Sequence, residues 1–283
     1  MKFLFVSIIF PVILFAGNID ISLNHHNGHA SYIVNSNNTQ NLRSKLLFPF
    51  TFNAVDIQYN HKFHYFSIGL FSSFLATKKE TIGKDYDWKD NNLTVYSQSH
   101  NSISTYYAFG LKLSKHISKH LNIFSTFQYH ILDMQWSDTY QEDYVQHQTQ
   151  SIKGNTLQFQ QKFYHYNFGL DYTYSITKKI FFTSALSFIY AQITTKDIHE
   201  LRNFYTLQNT QSFGYEAQLH VGYKISKHAK VLLSYKYTTI EDTKTDMDYY
   251  NTQSNEKFLS YPSSYNYKDT VFGIHYSYNF YSI

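Results

Sequence analysis

Strict alternation of large apolar and polar side chains recurs along most of this chain, and it decides what the chain can become. Between 213 and 225, Phe213, Tyr215, Ala217, Leu219, Val221, Tyr223 and Ile225 share one face, and Glu216, Gln218, His220 and Lys224 share the other. Leu121, Ile123, Phe127, Tyr129 and Ile131 oppose Asn122, Thr126, Gln128 and His130 in the same way. So do Phe272, Ile274, Tyr276, Tyr278 and Phe280 against Gly273, His275, Ser277 and Asn279. Period two belongs to strands whose two faces meet different media, and a helix would not produce it.

The identity of the apolar residues narrows the medium. The 283 residues include 28 Tyr and 25 Phe, more aromatic surface than a soluble domain exposes. A wet lumen inside a lipid-facing aromatic wall accounts for both faces. Short connections are expected near 60–61, 115–119, 177–179 and 226–229. Long polar ones are expected at 24–44, 80–100, 138–155, 197–210 and 243–265. Short turns alternating with long loops are the layout of outer-membrane barrels, and closure lets a sheet sit in lipid without an open edge. The expected fold is all-β: a ten-stranded antiparallel up-and-down transmembrane barrel forming one domain, 17–283. Each strand with its loop is longer than a membrane crossing requires, so the barrel should stand above the bilayer.

Residues 1–16 read as a signal peptide, with Lys2 ahead of an apolar run and Ala16 as the small residue before cleavage. There are no cysteines, so burial and hydrogen bonding alone must hold the fold. A formal charge of +4 is too mild to argue for nucleic acid.

Two short motifs carry the candidate chemistry: Asp85-Tyr86-Asp87 and Asp197-Ile198-His199. In a strand, residues i and i+2 share a face. Extending the inward, odd-numbered parity of 63–79 reaches Asp85 and Asp87. Extending that of 180–193 reaches Thr195, Asp197 and His199. A bulge in either extension would reverse the outcome. If both faces line one barrel, three carboxylates and an imidazole converge on one water molecule, enough for hydrolysis. Each motif alone says little: Asp246-Met247-Asp248 has the same spacing, and 15 histidines make chance neighbours common.

The order of these features resembles the omptins, ten-stranded outer-membrane endopeptidases of Gram-negative bacteria. The resemblance covers nearly the whole chain after residue 16. It rests on Asp85-Tyr86-Asp87-Trp88-Lys89-Asp90, on His100, and on Phe159-Gln160-Gln161-Lys162-Phe163 followed by Phe168-Gly169-Leu170. Asp197-Ile198-His199, Gly222-Tyr223 and Ala229-Lys230-Val231 complete it. It implies a catalytic set of Asp85, Asp87, Asp197 and His199 at an extracellular mouth. His199 would serve as general base for a water and Asp197 would orient the ring. Asp85 and Asp87 would titrate as a coupled pair, one holding water and one donating to the oxyanion. No metal or other cofactor is implied, since the His-rich spacing of metal sites is missing. The implied partners are an extracellular peptide or protein and lipopolysaccharide, which some such enzymes require. The implied state is a monomer.

The chain also departs from the resemblance. Thr195, Tyr96 and the stretch Asn37-Asn38-Thr39-Gln40 stand where members that cleave at basic residues carry acids, which argues against a dibasic preference. Tyr129, Ile131 and Ser175 replace residues expected to contact lipopolysaccharide. The alternative is a non-catalytic barrel acting as an adhesin or structural surface protein. A channel ranks last, because side chains largely fill a ten-stranded lumen.

Overall fold

The computed structural model describes residues 17–36 and 41–280. The expected signal segment, the stretch 37–40 and the last three residues lie outside these. Eleven strands run in chain order: β1 (Gly17–Asn35), β2 (Leu42–Lys62), β3 (Ser67–Lys79), β4 (Thr81–Lys89), β5 (Asn92–His116) and β6 (Leu121–Asp143). They continue as β7 (Gln148–Ser175), β8 (Ile180–His199), β9 (Phe204–Lys224), β10 (Ala229–Asn251) and β11 (Lys257–Phe280). Each pairs antiparallel with its neighbours, and β1 pairs with both β2 and β11, so the sheet closes on itself. Strands β3 and β4 are two halves of one wall, both lying between β2 and β5. The barrel therefore has the ten walls that the alternation predicts.

Three of the four short turns repeat one chemistry. Ile117-Ser118-Lys119-His120, Ile176-Thr177-Lys178-Lys179 and Ile225-Ser226-Lys227-His228 each close with the first residue's N–H donating to the carbonyl of the residue four positions on. In each, the hydroxyl oxygen at the second position accepts from the two N–H groups that follow the third residue. A Ser or Thr at that point supplies a local acceptor that fixes the reversal.

At the other end the structure departs from the expected loops. The stretches at 80–100, 138–155, 197–210 and 243–265 are mostly strand, joined by tight reversals, and the described part of 24–44 is mostly strand as well. One is Asp90-Asn91, both in the left-handed region, as a two-residue hairpin turn requires. The reason is environmental. Above the bilayer neither face needs to be apolar, so the alternation that marks a strand in lipid fades while the hydrogen-bond ladder continues.

Side-chain polarity also changes along the barrel. Near the short turns the outer face carries Leu186, Phe188, Leu219, Val221, Leu233 and Ile274, all exposed, as a lipid-facing band should be. Aromatic neighbours such as Tyr129 and Tyr164 (4.8 Å) and Tyr166 and Tyr190 (6.0 Å) border it. Inside that band the lumen is charged, with His26 2.8 Å from Asp269 and Lys112 3.9 Å from Asp171. Above the border the polarity of the interior inverts. Phe48, Phe50, Phe52, Phe159, Phe163, Ile189, Ile193 and Met247 all point inward and form one apolar core. A polar interior throughout, as the sequence suggests, holds only for the lower half. Burying each of these large side chains contributes roughly 1.5–3 kcal/mol.

Strand glycines let the lumen fill. Phe71, Phe124 and Phe181 sit directly opposite Gly110, Gly169 and Gly222 on adjacent strands. A Cβ on these glycines would lie 2.4, 2.7 and 2.1 Å from the facing ring. Each ring covers the missing side chain of its cross-strand partner.

Candidate active site

Whether Asp85 and Asp87 face inward depends on register, and the register is irregular in two places. Ala54 pairs with Leu75 but Asn53 with Thr77, so Ala76 is an extra residue in β3. Thr51 pairs with Lys79 while Leu47 pairs with Lys84, so one more residue is gained around Glu80. Each slip reverses the parity, and together they restore it. Asp85 thus pairs with buried Leu46, and Asp87 with Ser44, on the lumen side. The other extension is regular: β8 keeps one register against β7 and β9 as far as His199. Asp197 lies between Phe159 and Thr206, and His199 between Leu157 and Phe204, all turned inward.

The four residues therefore face one mouth, above the apolar core. Two further residues tie the halves together. The charge of Arg202, in the turn after His199, acts on Asp85, Asp87 and His199 alike. The phenol of Tyr249 feels Asp197, Asp87 and Asp85. Tyr249 reaches this position by strand register, since Asp197 pairs with Thr206 and Thr206 with Tyr249. Sequence reasoning singled out neither. The one available signal was that Arg43 and Arg202 are the only arginines in a lysine-rich chain.

Electrostatics separate the four groups. Burial pushes the Asp85 carboxyl up to about 8, helped by the Asp87 charge and opposed by Arg202 and Ser44. The Ser44 hydroxyl donates to Asp85 Oδ1 at 3.3 Å. Burial also raises Asp87, against Ser44 and Arg202. Asp197 is 1 % exposed and neither carboxyl oxygen has a hydrogen-bond partner in the protein. Burial alone lifts it well above the ordinary carboxylate range. His199 is pushed down to about 3 by burial first and Arg202 second. Its ring packs against Phe204 at 4.3 Å. The Asp197 carboxyl makes no hydrogen bond to His199 in this structure, so the ring is oriented by Phe204 rather than by a carboxylate.

The floor is apolar and close-packed. Phe48 lies 4.1 Å from Phe159 and 4.8 Å from Trp136. Gly83, two residues before Asp85, leaves room for the Trp136 indole, which a Cβ there would approach to 2.3 Å. Beside Asp197, the buried side chains of Thr195, Gln208 and Ser263 are neutral; Gln208 donates to Ser263 at 2.8 Å. Other residues quoted for the resemblance point elsewhere. His100 pairs with Ile82 on the outer face and lies 3.4 Å from Glu80. Tyr96 packs at a tilt against Tyr86 outside the barrel. Tyr129 sits in the outer aromatic border. The stretch 37–40 lies outside the described residues. Among the described residues no cluster of three or more His, Cys, Asp or Glu side chains is arranged to hold a metal ion.

Known proteins agree with this architecture. The chain matches the Omptin family model over residues 18–280. Its fold is similar to that of the outer membrane protease OmpT from Escherichia coli, with a TM-score of 0.84 at 14% identity over 94% of this chain and 97% of that one. The outer membrane protein OprG from Pseudomonas aeruginosa is far less similar, with a TM-score of 0.41 at 12% identity over 94% and 97% of the two chains. No curated protein sequence matches the chain. With the family match spanning almost every described residue, the chain belongs to the omptin family of bacterial outer-membrane β-barrel proteins.

Proposed function

We propose that this barrel is an outer-membrane endopeptidase that hydrolyses peptide bonds at its long-strand mouth, with Asp85, Asp87, Asp197 and His199 as the catalytic set. The observation that carries this reading is the convergence of the two pairs on one mouth, where Arg202 and Tyr249 each sense both.

The groups divide the work by protonation state. Near neutral pH, Asp85 retains its proton and donates to the carbonyl oxygen as negative charge develops there. Asp87 orients the attacking water through a carboxylate oxygen. His199 is neutral and accepts the proton that the water gives up. Burial disfavours either charge alone, so the imidazolium of His199 and the carboxylate of Asp197, whose oxygens have no competing partner, stabilise each other as a pair. No nucleophilic side chain and no metal enters this scheme. The chain acts as a monomer.

Substrate choice follows from the neutral floor at Thr195, Gln208 and Ser263 and from the positive charge of Arg202. Both disfavour a basic side chain next to the scissile bond, so dibasic sites are not the preferred ones. The test is turnover of a quenched-fluorescent peptide library by the refolded barrel. It is run with lipopolysaccharide, the lipid partner that the family relationship points to, and without it. Asp85→Ala and His199→Ala should each lower turnover by about 10²–10⁴-fold while the barrel still assembles. Wild-type turnover in either folded variant refutes the assignment, as does a library that no condition cleaves.

A further inference from the structure

The end of the barrel opposite this mouth holds a second concentration of charge that proteolysis does not use. A cavity of about 530 Å³ opens there, among the short turns. Six lysines line it: Lys62, Lys112, Lys115, Lys119, Lys224 and Lys230. They come from β2, β5, the turn after β5, β9 and β10, so they reach the cavity from several sides of the ring. Asp20 is the one carboxylate in the lining. Lys112 is partly compensated by Asp171 at 3.9 Å and by the Phe124 ring at 4.3 Å. Among the described residues the other five have no carboxylate within ion-pair distance.

Lysines at a barrel end ordinarily extend into water and spread apart. Two of these instead converge on one ring, with Lys224 exposed and Lys230 half-buried. The ammonium groups of Lys224 and Lys230 lie 5.9 and 5.8 Å from the same ring, that of Phe181. That ring is itself fixed, because it lies across Gly222 and is 7 % exposed. Two cations drawn to one ring repel each other, and the low-dielectric wall focuses the field of all six into the cavity. Ser67, Ser114 and Asn122 add neutral hydrogen-bonding groups to the same lining. Compact ammonium groups converging from different sides suit a multivalent phosphate, which each can approach as a point charge.

We propose that this cavity binds a multivalent phosphate-bearing anion, either a soluble pyrophosphate-like ion or the headgroup of an anionic phospholipid. The site is separate from the catalytic mouth, and its occupancy does not depend on the protease reading.

Titration calorimetry of the barrel in zwitterionic detergent with sodium pyrophosphate tests the soluble source. Phosphorus NMR of the barrel in nanodiscs, with and without cardiolipin (whose headgroup carries two phosphates) in phosphatidylcholine, tests the lipid source. One of the two should show saturable binding that weakens as salt is added. Lys224→Gln and Lys230→Gln should each weaken it by at least about tenfold. Lys119→Gln, in an exposed turn that tolerates change, should weaken it as well and guards against misfolding of the other two. Lys153→Gln, at the far end, should leave it unchanged. A response only to pyrophosphate identifies a soluble anion, and a response only to cardiolipin identifies a headgroup. No response to either, or a response that survives all three lysine substitutions, overturns the proposal.

Discussion

Phe48 and Phe159 stack at 4.1 Å across the barrel, and this contact joins the two halves of the candidate site. Phe48 lies two residues from Leu46, the strand partner of Asp85. Phe159 is the strand partner of Asp197. The aromatic pair thus sets how far apart the two acidic walls stand. Phe159→Ala should cost about 3–5 kcal/mol of stability and lower peptide turnover further than the loss of folded protein explains. Denaturant titration in detergent, with turnover normalised to folded fraction, separates the two effects.

Gly83 makes room for Trp136 beneath Asp85. A β-branched residue there must displace the indole or the strand. Gly83→Val should destabilise the barrel by about 1–3 kcal/mol, while Gly154→Val, at an open irregularity within β7, should be felt through its backbone conformation only. Unfolding midpoints of the two variants check this, and an unperturbed Gly83→Val would contradict the packing described.

The proposed role of protonated Asp85 as oxyanion donor fixes the sign of one pH limb. Its folded-state value of about 8 lies above the unfolded one, so the folded state holds an extra proton between about pH 4 and 8. Stability contributed by this group is therefore greatest at low pH and declines as pH rises through 8. Peptide turnover should fall over the same upper range. Asp85→Asn keeps a donor but not the titration. It should retain more activity than Asp85→Ala and lose the alkaline limb. A wild-type alkaline limb in Asp85→Asn would assign it to another group.

Arg202 lowers Asp85, Asp87 and His199 together. Removing its charge in Arg202→Gln should move the alkaline limb to higher pH and raise the His199 titration. Turnover against pH reads the first and histidine-selective NMR the second. A profile that stays put would place the guanidinium outside the mouth.

These dependences also show what the sequence could and could not reveal. The lipid-facing strands were legible because one face meets hydrocarbon, as Leu186 and Phe188 do beside Ser187. The same rule failed above the border, where Phe48 and Phe50 turn inward and the supposed loops continue as strand. Water on the outside and packing on the inside leave no fixed polarity for a reader to follow. The catalytic candidates were legible because i and i+2 share a face. Arg202 and Tyr249 were not, because their places depend on a turn and on register across three strands. The hydrogen bond expected between Asp197 and His199 is also not formed here.

The two one-residue slips at Ala76 and Glu80 have a consequence for how this wall can change over time. Deleting either residue alone would rotate Asp85 and Asp87 to the outer surface without altering a single side chain of the candidate site. Length changes between β3 and β4 can therefore be inherited only in matched pairs, and a lineage that kept an unmatched one would preserve every acid of the motif while having lost the use of both.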